Sequence, residues 1–281
     1  MKIGISTGLF FDRDILEVLP EIKETGFDIV EIWTGTEQYG AFSHFEWHKD
    51  REIQALGIAL KGLDIEVESL HSPFSELIDI SSPDENIRSF AMEEIERSMY
   101  CLKRLGGKIL VVHPAATDES LKDDIAVRFA KCRRSLEHLY VRAQDLDVQI
   151  AVETQLPHIF GGEVSALMRL IDGFSPSVCG FCFDSSHANL YRKGALSTFD
   201  ELSLRVIALH ISDNKGSADD HLVPGDGLID WRELVYRIKK SGCCEVFMLE
   251  VLRGKTGAAS RDILLNARRA AVKLLKGDRL K

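Results

Sequence analysis

The chain has 281 residues, of which 45% are hydrophobic and 28% charged, enough to bury a large core in one domain of α/β-barrel size. A formal net charge of -9 and a pI near 5.5 set the overall field against DNA, RNA and anionic membranes, and no stretch approaches the about 18 unbroken apolar residues of a membrane span. The opening MKIGISTGLFF lacks the charged flank and cleavage site of a secretory signal, and the six cysteines sit mostly inside apolar patterns, so a soluble, reduced, cytoplasmic protein is expected.

Runs rich in Ile and Val recur with a helical pattern after them, the alternation of a parallel sheet with crossover helices. The first strand is expected at KIGIS, 2–6, followed by a helix from about Asp12, its N-cap, to Thr25, with Gly26 ending it. IVEIW, 29–33, is the second strand, and its helix covers about Phe45 to Lys61. The third, Ile65 to Leu70, runs into His71; its helix starts near Asp84 and carries Ile87, Phe90, Met92, Ile95, Met99 and Leu102 at the spacing of a buried stripe. ILVV, 109–112, is the fourth strand and stops at His113, with its helix in the charged stretch from Asp118 to Leu146. Gln149 to Val152 ends on Glu153, Val178 to Phe183 on Asp184, and the seventh strand on His210. A helix from about Asp230 to Lys240 leads to the eighth, Val246 to Leu249, which ends on Glu250, and a helix from about Ala258 to Lys276 closes the chain. Eight units without linkers or low-complexity tracts predict a single (β/α)8 TIM barrel spanning residues 1–281. An open doubly wound sheet is disfavoured, because Gly8-Leu9-Phe10 after the first strand lacks the spacing of a Gly-rich phosphate loop.

In a barrel the C-terminal strand ends converge on one mouth, so His71, His113, Glu153, Asp184, His210 and Glu250 arrive within reach of a common point. His187 follows shortly after Asp184, and Asp219 and His221 lie in the loop after the seventh strand. Each is ordinary alone: a strand-end histidine is more often a hydrogen-bonded structural residue, and a carboxylate there often caps the next helix. Together they form a mixed nitrogen and oxygen donor set suited to Zn²⁺, Mn²⁺ or Fe²⁺. Cys179-Gly-Phe-Cys182 has redox spacing, but it lies inside a strand rather than at a helix start where a thiolate is activated. Gly225-Asp226-Gly227 reads as a turn, and Trp33, Phe74 and Trp231 read equally as walls of the mouth and as packing.

At these residues the sequence resembles the xylose isomerase-like TIM-barrel superfamily, which includes sugar epimerases, inositol-catabolism enzymes and endonuclease IV. The motifs are HSPF at His71, VVHPA at His113, AVET at Glu153, CFDSSHANL at Asp184 and His187, LHISDN at His210, DDH at 219–221 with its trailing PGDGLIDW, and MLEV at Glu250. In single-metal epimerases of this superfamily the metal sits between residues matching Glu153, Asp184, His210 and Glu250, and the two glutamates exchange protons with the sugar. Endonuclease IV extends the set to three zinc ions, with further ligands at positions matching His71, His113, His187, Asp219 and His221. The resemblance thus implies one to three divalent ions per chain, Zn or Mn.

Against DNA as substrate, Glu31 to Trp47 contains no Lys or Arg, and the loop TQLPHIFGG after Glu153 has no Lys, Arg, Asp or Glu. Cationic side chains gain phosphate affinity by releasing counterions. Arg192, Lys193, Lys215, Arg253 and Lys255 on mouth loops suffice for a sugar phosphate but are sparse for a duplex. The expected activity is a metal-dependent isomerase or epimerase of a small sugar, polyol or sugar phosphate, with His187, His221, Trp33, Phe74 and Arg253 contacting substrate. The alternatives are zinc-dependent phosphodiester cleavage at abasic sites and a non-catalytic metal- or sugar-binding relative.

Overall fold

The computed structural model describes residues 1–35, 44–116, 124–253, 259–278 and 280. Eight parallel strands, β1 (Lys2–Ser6), β2 (Ile29–Trp33), β3 (Glu66–His71), β4 (Ile109–Val112), β5 (Gln149–Glu153), β6 (Cys179–Asp184), β7 (Val206–His210) and β8 (Val246–Leu249), pair in the order β7-β6-β5-β4-β3-β2-β1-β8. A parallel bridge between Ile211 and Leu249 joins the two ends, with the Ile211 N–H donating to the Met248 carbonyl at 2.8 Å. The sheet is therefore a nearly closed barrel, the (β/α)8 TIM barrel that the alternation predicts.

Strands covered on both faces read as continuous apolar runs. In β4, Leu110 and Val112 join the large helix-facing core, whereas Ile109 and Val111 meet Ala151, Cys182, Ile207 and Ala208 in a separate cluster inside the barrel. The helices are α1 (Ile15–Glu24), α2 (Asp50–Leu63), α3 (Glu85–Leu105), α4 (Ile125–Leu146), α5 (Val164–Leu170), α6 (Ser185–Asn189), α7 (Gly194–Leu202), α8 (Trp231–Ser241) and α9 (Ser260–Lys276).

Several boundaries differ from the sequence expectation for physical reasons. Asp14 rather than Asp12 caps α1, accepting from the Leu16 N–H at 2.8 Å, while Asp12 forms an ion pair with Arg253. α2 begins at Asp50 rather than Phe45, because Phe45 and Trp47 are buried in the preceding segment and report core contact, not a helical face. α4 starts behind Asp124, whose side chain accepts from the Ala126 N–H; 118–123 of the expected helix, and Ala258 of the last one, lie outside the described residues.

The loop after β7 is organised by a buried carboxylate. Asp213 accepts from the Asn214, Gly225 and Ile229 N–H groups at 2.9, 2.9 and 3.2 Å and from the Trp231 indole at 2.7 Å, and it exchanges two backbone hydrogen bonds with Leu222. This pins the stretch carrying Asp219 and His221. Gly227 passes so close that a Cβ there would lie 2.2 Å from Asp213 Oδ1 and 2.3 Å from the Asn214 carbonyl oxygen. Gly227→Ala is therefore expected to destabilise the protein by about 1–3 kcal/mol, the usual cost of overpacking. A melting temperature unchanged from the parent would show that this loop does not need the close approach.

Candidate metal centre

Parallel strands place their last residues on one rim. His71, Glu153, Asp184 and His210 are the final residues of β3, β5, β6 and β7, and His113 and Glu250 come just after β4 and β8. Asp184 does a second job: its Oδ1 accepts from the His187 N–H at 2.6 Å and so starts α6, which carries His187 to the rim.

Glu153 stands at the centre. Its Oε2 lies 3.2 Å from His71 Nε2 and 2.9 Å from His113 Nε2, and its Oε1 lies 3.1 Å from His210 Nδ1. Glu250 Oε2 approaches the same His210 nitrogen at 3.0 Å. On the other side, Asp219 Oδ2 lies 2.9 Å from His221 Nε2 and 3.1 Å from His187 Nε2. Among the described residues, three groups have ligand atoms within 4.8 Å of one another: His71, His113 and Glu153; Glu153, Asp184, His210 and Glu250; and Asp184, His187 and His221. Glu153 joins the first group to the second, and Asp184 joins the second to the third. The nine residues taken from the sequence thus come together, Asp219 by its contacts to the third group.

The donor set fits a divalent cation on two counts. First, each of four imidazoles faces an acceptor with one nitrogen and the carboxylates with the other. His71 Nδ1 meets the Ser72 carbonyl at 2.9 Å, His187 Nδ1 the Thr154 carbonyl at 2.7 Å and His221 Nδ1 the Glu250 carbonyl at 2.9 Å, while His210 Nε2 meets Glu31 at 3.1 Å. Such outer partners fix the tautomer that leaves the inner nitrogen's lone pair free for a metal. Second, Asp184 Oδ2 and Asp219 Oδ1 are buried without a hydrogen-bond partner. Buried carboxylate oxygens are costly unless something neutralises them.

Without a cation, imidazolium groups do so. Burial opposes charging His210, but Cys182, Glu250, Glu31 and Glu153 outweigh it and hold the ring's pKa well above the ordinary value. Burial likewise opposes charging His187, yet Asp184, Asp219 and Glu153 raise it to about 10. His221 is raised for the same reason by Asp219, Glu250 and Asp184. Burial pushes the carboxylates up, but His210 and His113 hold Glu153 well below its usual range, and His210 and His221 bring Glu250 down to about 2. Asp184 goes the other way, to about 7, because burial exceeds the help from His187 and His221.

Glu31 is the residue the sequence reading passes over. It is 1% exposed, in the middle of a strand whose five residues are all buried, and that isolation of a charge within IVEIW is the signal that marks it. Phe74 covers the first group, its ring 4.1 Å from that of His113 and 5.3 Å from that of His71. Trp33 is nearly buried and meets Phe11 edge-on at 6.4 Å. Arg253 sits over the Phe11 ring in its pair with Asp12. Lys193 is paired with Glu201 at 2.7 Å, and Lys255 and 36–43 of the loop after β2 lie outside the described residues. All six cysteines are free, and burial pushes the Cys179 thiol up to about 12 and the Cys182 thiol well above its usual value, which removes the thiolate a redox pair needs.

The family described as xylose isomerase-like TIM barrel matches residues 19–273. An uncharacterized protein of Methanocaldococcus jannaschii is 24% identical over 94% of this chain and 88% of its own length. A probable endonuclease 4 of Mycobacterium leprae is 26% identical over 77% of this chain and 82% of its own, and the L-ribulose-5-phosphate 3-epimerase UlaE of Salmonella typhi is 23% identical over 84% and 81%. Among solved structures, a D-tagatose 3-epimerase-like protein superposes with a TM-score of 0.82 at 22% identity, covering 98% of this chain and 97% of that one. The IOLI protein with a bound zinc atom gives 0.81 at 19% identity, with both chains fully covered.

Proposed function

The chain belongs to the xylose isomerase-like TIM barrel family, and from that premise we propose that it is a divalent-metal-dependent isomerase or epimerase of a small sugar, polyol or sugar phosphate. The observation that carries this reading is the convergence of Glu153 and Glu250 on one nitrogen of His210, in a four-residue ligand group that Asp184 completes. A divalent ion held there, Zn²⁺ or Mn²⁺, would act as a Lewis acid toward charge developing on adjacent carbonyl and hydroxyl oxygens. Glu153 comes from the end of β5 and Glu250 from beyond β8, so a carbon lying between them would lose a proton to one carboxylate and receive a different proton from the other, which has taken it from solvent. Both glutamates have depressed pKa values, which suits the one that accepts a proton from carbon; the one that returns a proton must first draw it from water, the route by which solvent deuterium would enter the product. In this reading His187 and His221 would meet substrate hydroxyls or a further ion, and Phe74 and Trp33 would supply apolar walls.

The surroundings favour a small substrate. Two of the five cations expected at the mouth, Arg253 and Lys193, are already in ion pairs. No helix among the described residues is long and apolar enough to cross a membrane. Six free thiols suit the reducing cytoplasm, where we place the protein. Several structural neighbours are sugar 3-epimerases, in agreement with a substrate of this class.

A second reading, zinc-dependent phosphodiester hydrolysis at abasic sites, is favoured by one observation: the ligand groups are three and are linked through shared carboxylates. One experiment separates the two. Protein purified without chelator is assayed for metal per chain, for epimerisation of a panel of ketoses and ketose phosphates in deuterated water, and for cleavage of an abasic-site duplex. Epimerisation with solvent deuterium entering the product is the expected result. Three tightly held zinc ions with duplex cleavage and no epimerisation would replace this reading with hydrolysis, and inactivity in both assays with metal bound would leave a binding protein.

A further inference from the structure

We infer that Glu31 is a positioning residue for the metal centre, holding His210 so that Nε2 keeps its proton and Nδ1 faces the four-residue ligand group. This rests on the reading of that group as a divalent-ion site. Glu31 Oε2 lies 3.1 Å from His210 Nε2 and accepts from the Ser69 hydroxyl at 2.7 Å, and all three side chains are buried. His210 Nδ1, on the far side of the ring, is the atom that Glu153 and Glu250 approach at 3.1 and 3.0 Å. The ring therefore spans from a carboxylate deep in the barrel to two at its mouth.

The backbone is arranged for this contact. The ladder between β2 and β3 shifts register between Val30 and Glu31, so that Glu31 stands opposite Ser69 rather than Glu68. A second shift, between Phe181 and Cys182 in the β6–β7 ladder, leaves His210 opposite Asp184. Local irregularities of this kind re-aim side chains. Here one sets the acceptor and the other sets the ring. Glu31 also gives the fold little in return: its Oε1 is buried with no hydrogen-bond partner, a placement that costs stability. A carboxylate kept at such a cost, against one ring nitrogen of a ligand histidine, matches the way outer partners orient metal-bound imidazoles.

The test reads metal rather than turnover. Affinity of the chain for Zn²⁺ and for Mn²⁺ is measured by competition with a chromogenic chelator in wild type, Glu31→Gln, Glu31→Ala and Ser69→Ala, alongside the melting temperature of each metal-free protein. Glu31→Gln and Glu31→Ala are expected to weaken metal binding by about 10- to 100-fold, the range for lost outer partners. Ser69→Ala should act in the same direction and more weakly. Metal-free melting temperatures report the fold separately, since Glu31 also faces protonated His210 there: a purely structural role would lower them and leave affinity alone. In the wild-type protein loaded with Zn²⁺, long-range ¹H–¹⁵N NMR should find the His210 proton on Nε2. That measurement needs no variant, so it decides the matter even if the Glu31 variants fail to fold. A proton on Nδ1, or affinities within about twofold of wild type in both folded Glu31 variants, overturns the inference. Uptake of no divalent ion by the wild type would overturn the metal-centre reading and this inference with it. Tight, Glu31-dependent uptake without any sugar turnover would support it and sink only the proposed substrate.

Discussion

Glu153→Gln is expected to reduce turnover by about 10²- to 10⁴-fold, the range that a positioned acid–base group contributes. The substitution keeps the volume of a side chain that is 1% exposed, so the fold should survive. What changes is chemistry at both oxygens. The amide cannot take up a proton from carbon, and its NH2 must replace one oxygen facing either His210 Nδ1 or the pair His71 and His113. Toward His210, whose pKa is raised, the NH2 sets donor against donor; toward the other pair it does so at His71 but not at His113, whose pKa burial lowers. Glu153 is also shared by two of the three ligand groups, so its loss reaches further than that of any residue confined to one. Metal content read on the same samples separates its two roles. Turnover that falls while metal is retained assigns proton transfer to Glu153, and a parallel fall in both assigns it a ligand role. Glu250→Gln, whose carboxylate belongs to the four-residue group alone although it also lies 3.7 Å from His221 Nδ1, should lose turnover with the His71, His113 and Glu153 group intact. Turnover within about tenfold of wild type in both variants would remove the acid–base mechanism.

Much of this site is legible in the sequence because parallel strands make it so. An apolar run that ends on His71, Glu153, Asp184 or His210 states both the strand and the rim position of the residue after it. Asp219 and His221 are legible for a different reason, the density of polar residues in a loop pinned by Asp213. Glu31 is hidden by the opposite circumstance. It falls inside a run rather than at its end, and its partner His210 lies on the far side of the chain, so no spacing links them. The same holds for Arg253, which reads as a free mouth cation until the fold brings Asp12 beside it. The helices between β5 and β7 escape notice because they are 7, 5 and 9 residues long, too short for an apolar periodicity to build up. The start of α2 was obscured by Phe45 and Trp47, whose burial in a non-helical segment imitates a helix face.

Stripping the divalent ion with a chelator is expected to abolish turnover and to lower stability by about 4 kcal/mol when the loaded protein was held at a thousandfold excess over its Kd. For a domain of this size that corresponds to a drop in melting temperature on the order of 10 °C. The drop should depend on pH, and the sign follows from the groups at the site. His187 has a folded-state pKa raised to about 10, and those of His210 and His221 are also raised, so in the metal-free chain their protonated forms add stability in full below about pH 6.5. That contribution is lost as pH climbs through the raised values, leaving Glu153, Glu250 and Asp219 facing one another without counter-charge. Glu250, depressed to about 2, behaves inversely: its contribution is present above the ordinary carboxylate range and disappears only as pH falls toward 2. Between pH 6 and 9 the carboxylates stay charged and the folded chain still holds its imidazolium protons, but their stabilising contribution shrinks because the unfolded chain's histidines lose theirs above about pH 6.5. Metal ligation needs neutral imidazole, so the ion competes with protons at low pH and replaces them at high pH. The gap between loaded and stripped melting temperatures should accordingly widen from about pH 6 to pH 9. Paired thermal melts across that range, with metal restored afterwards to recover both activity and stability, measure it directly. A gap that is constant or that narrows would mean the rim carboxylates are neutralised by something other than these histidines and the ion that displaces their protons.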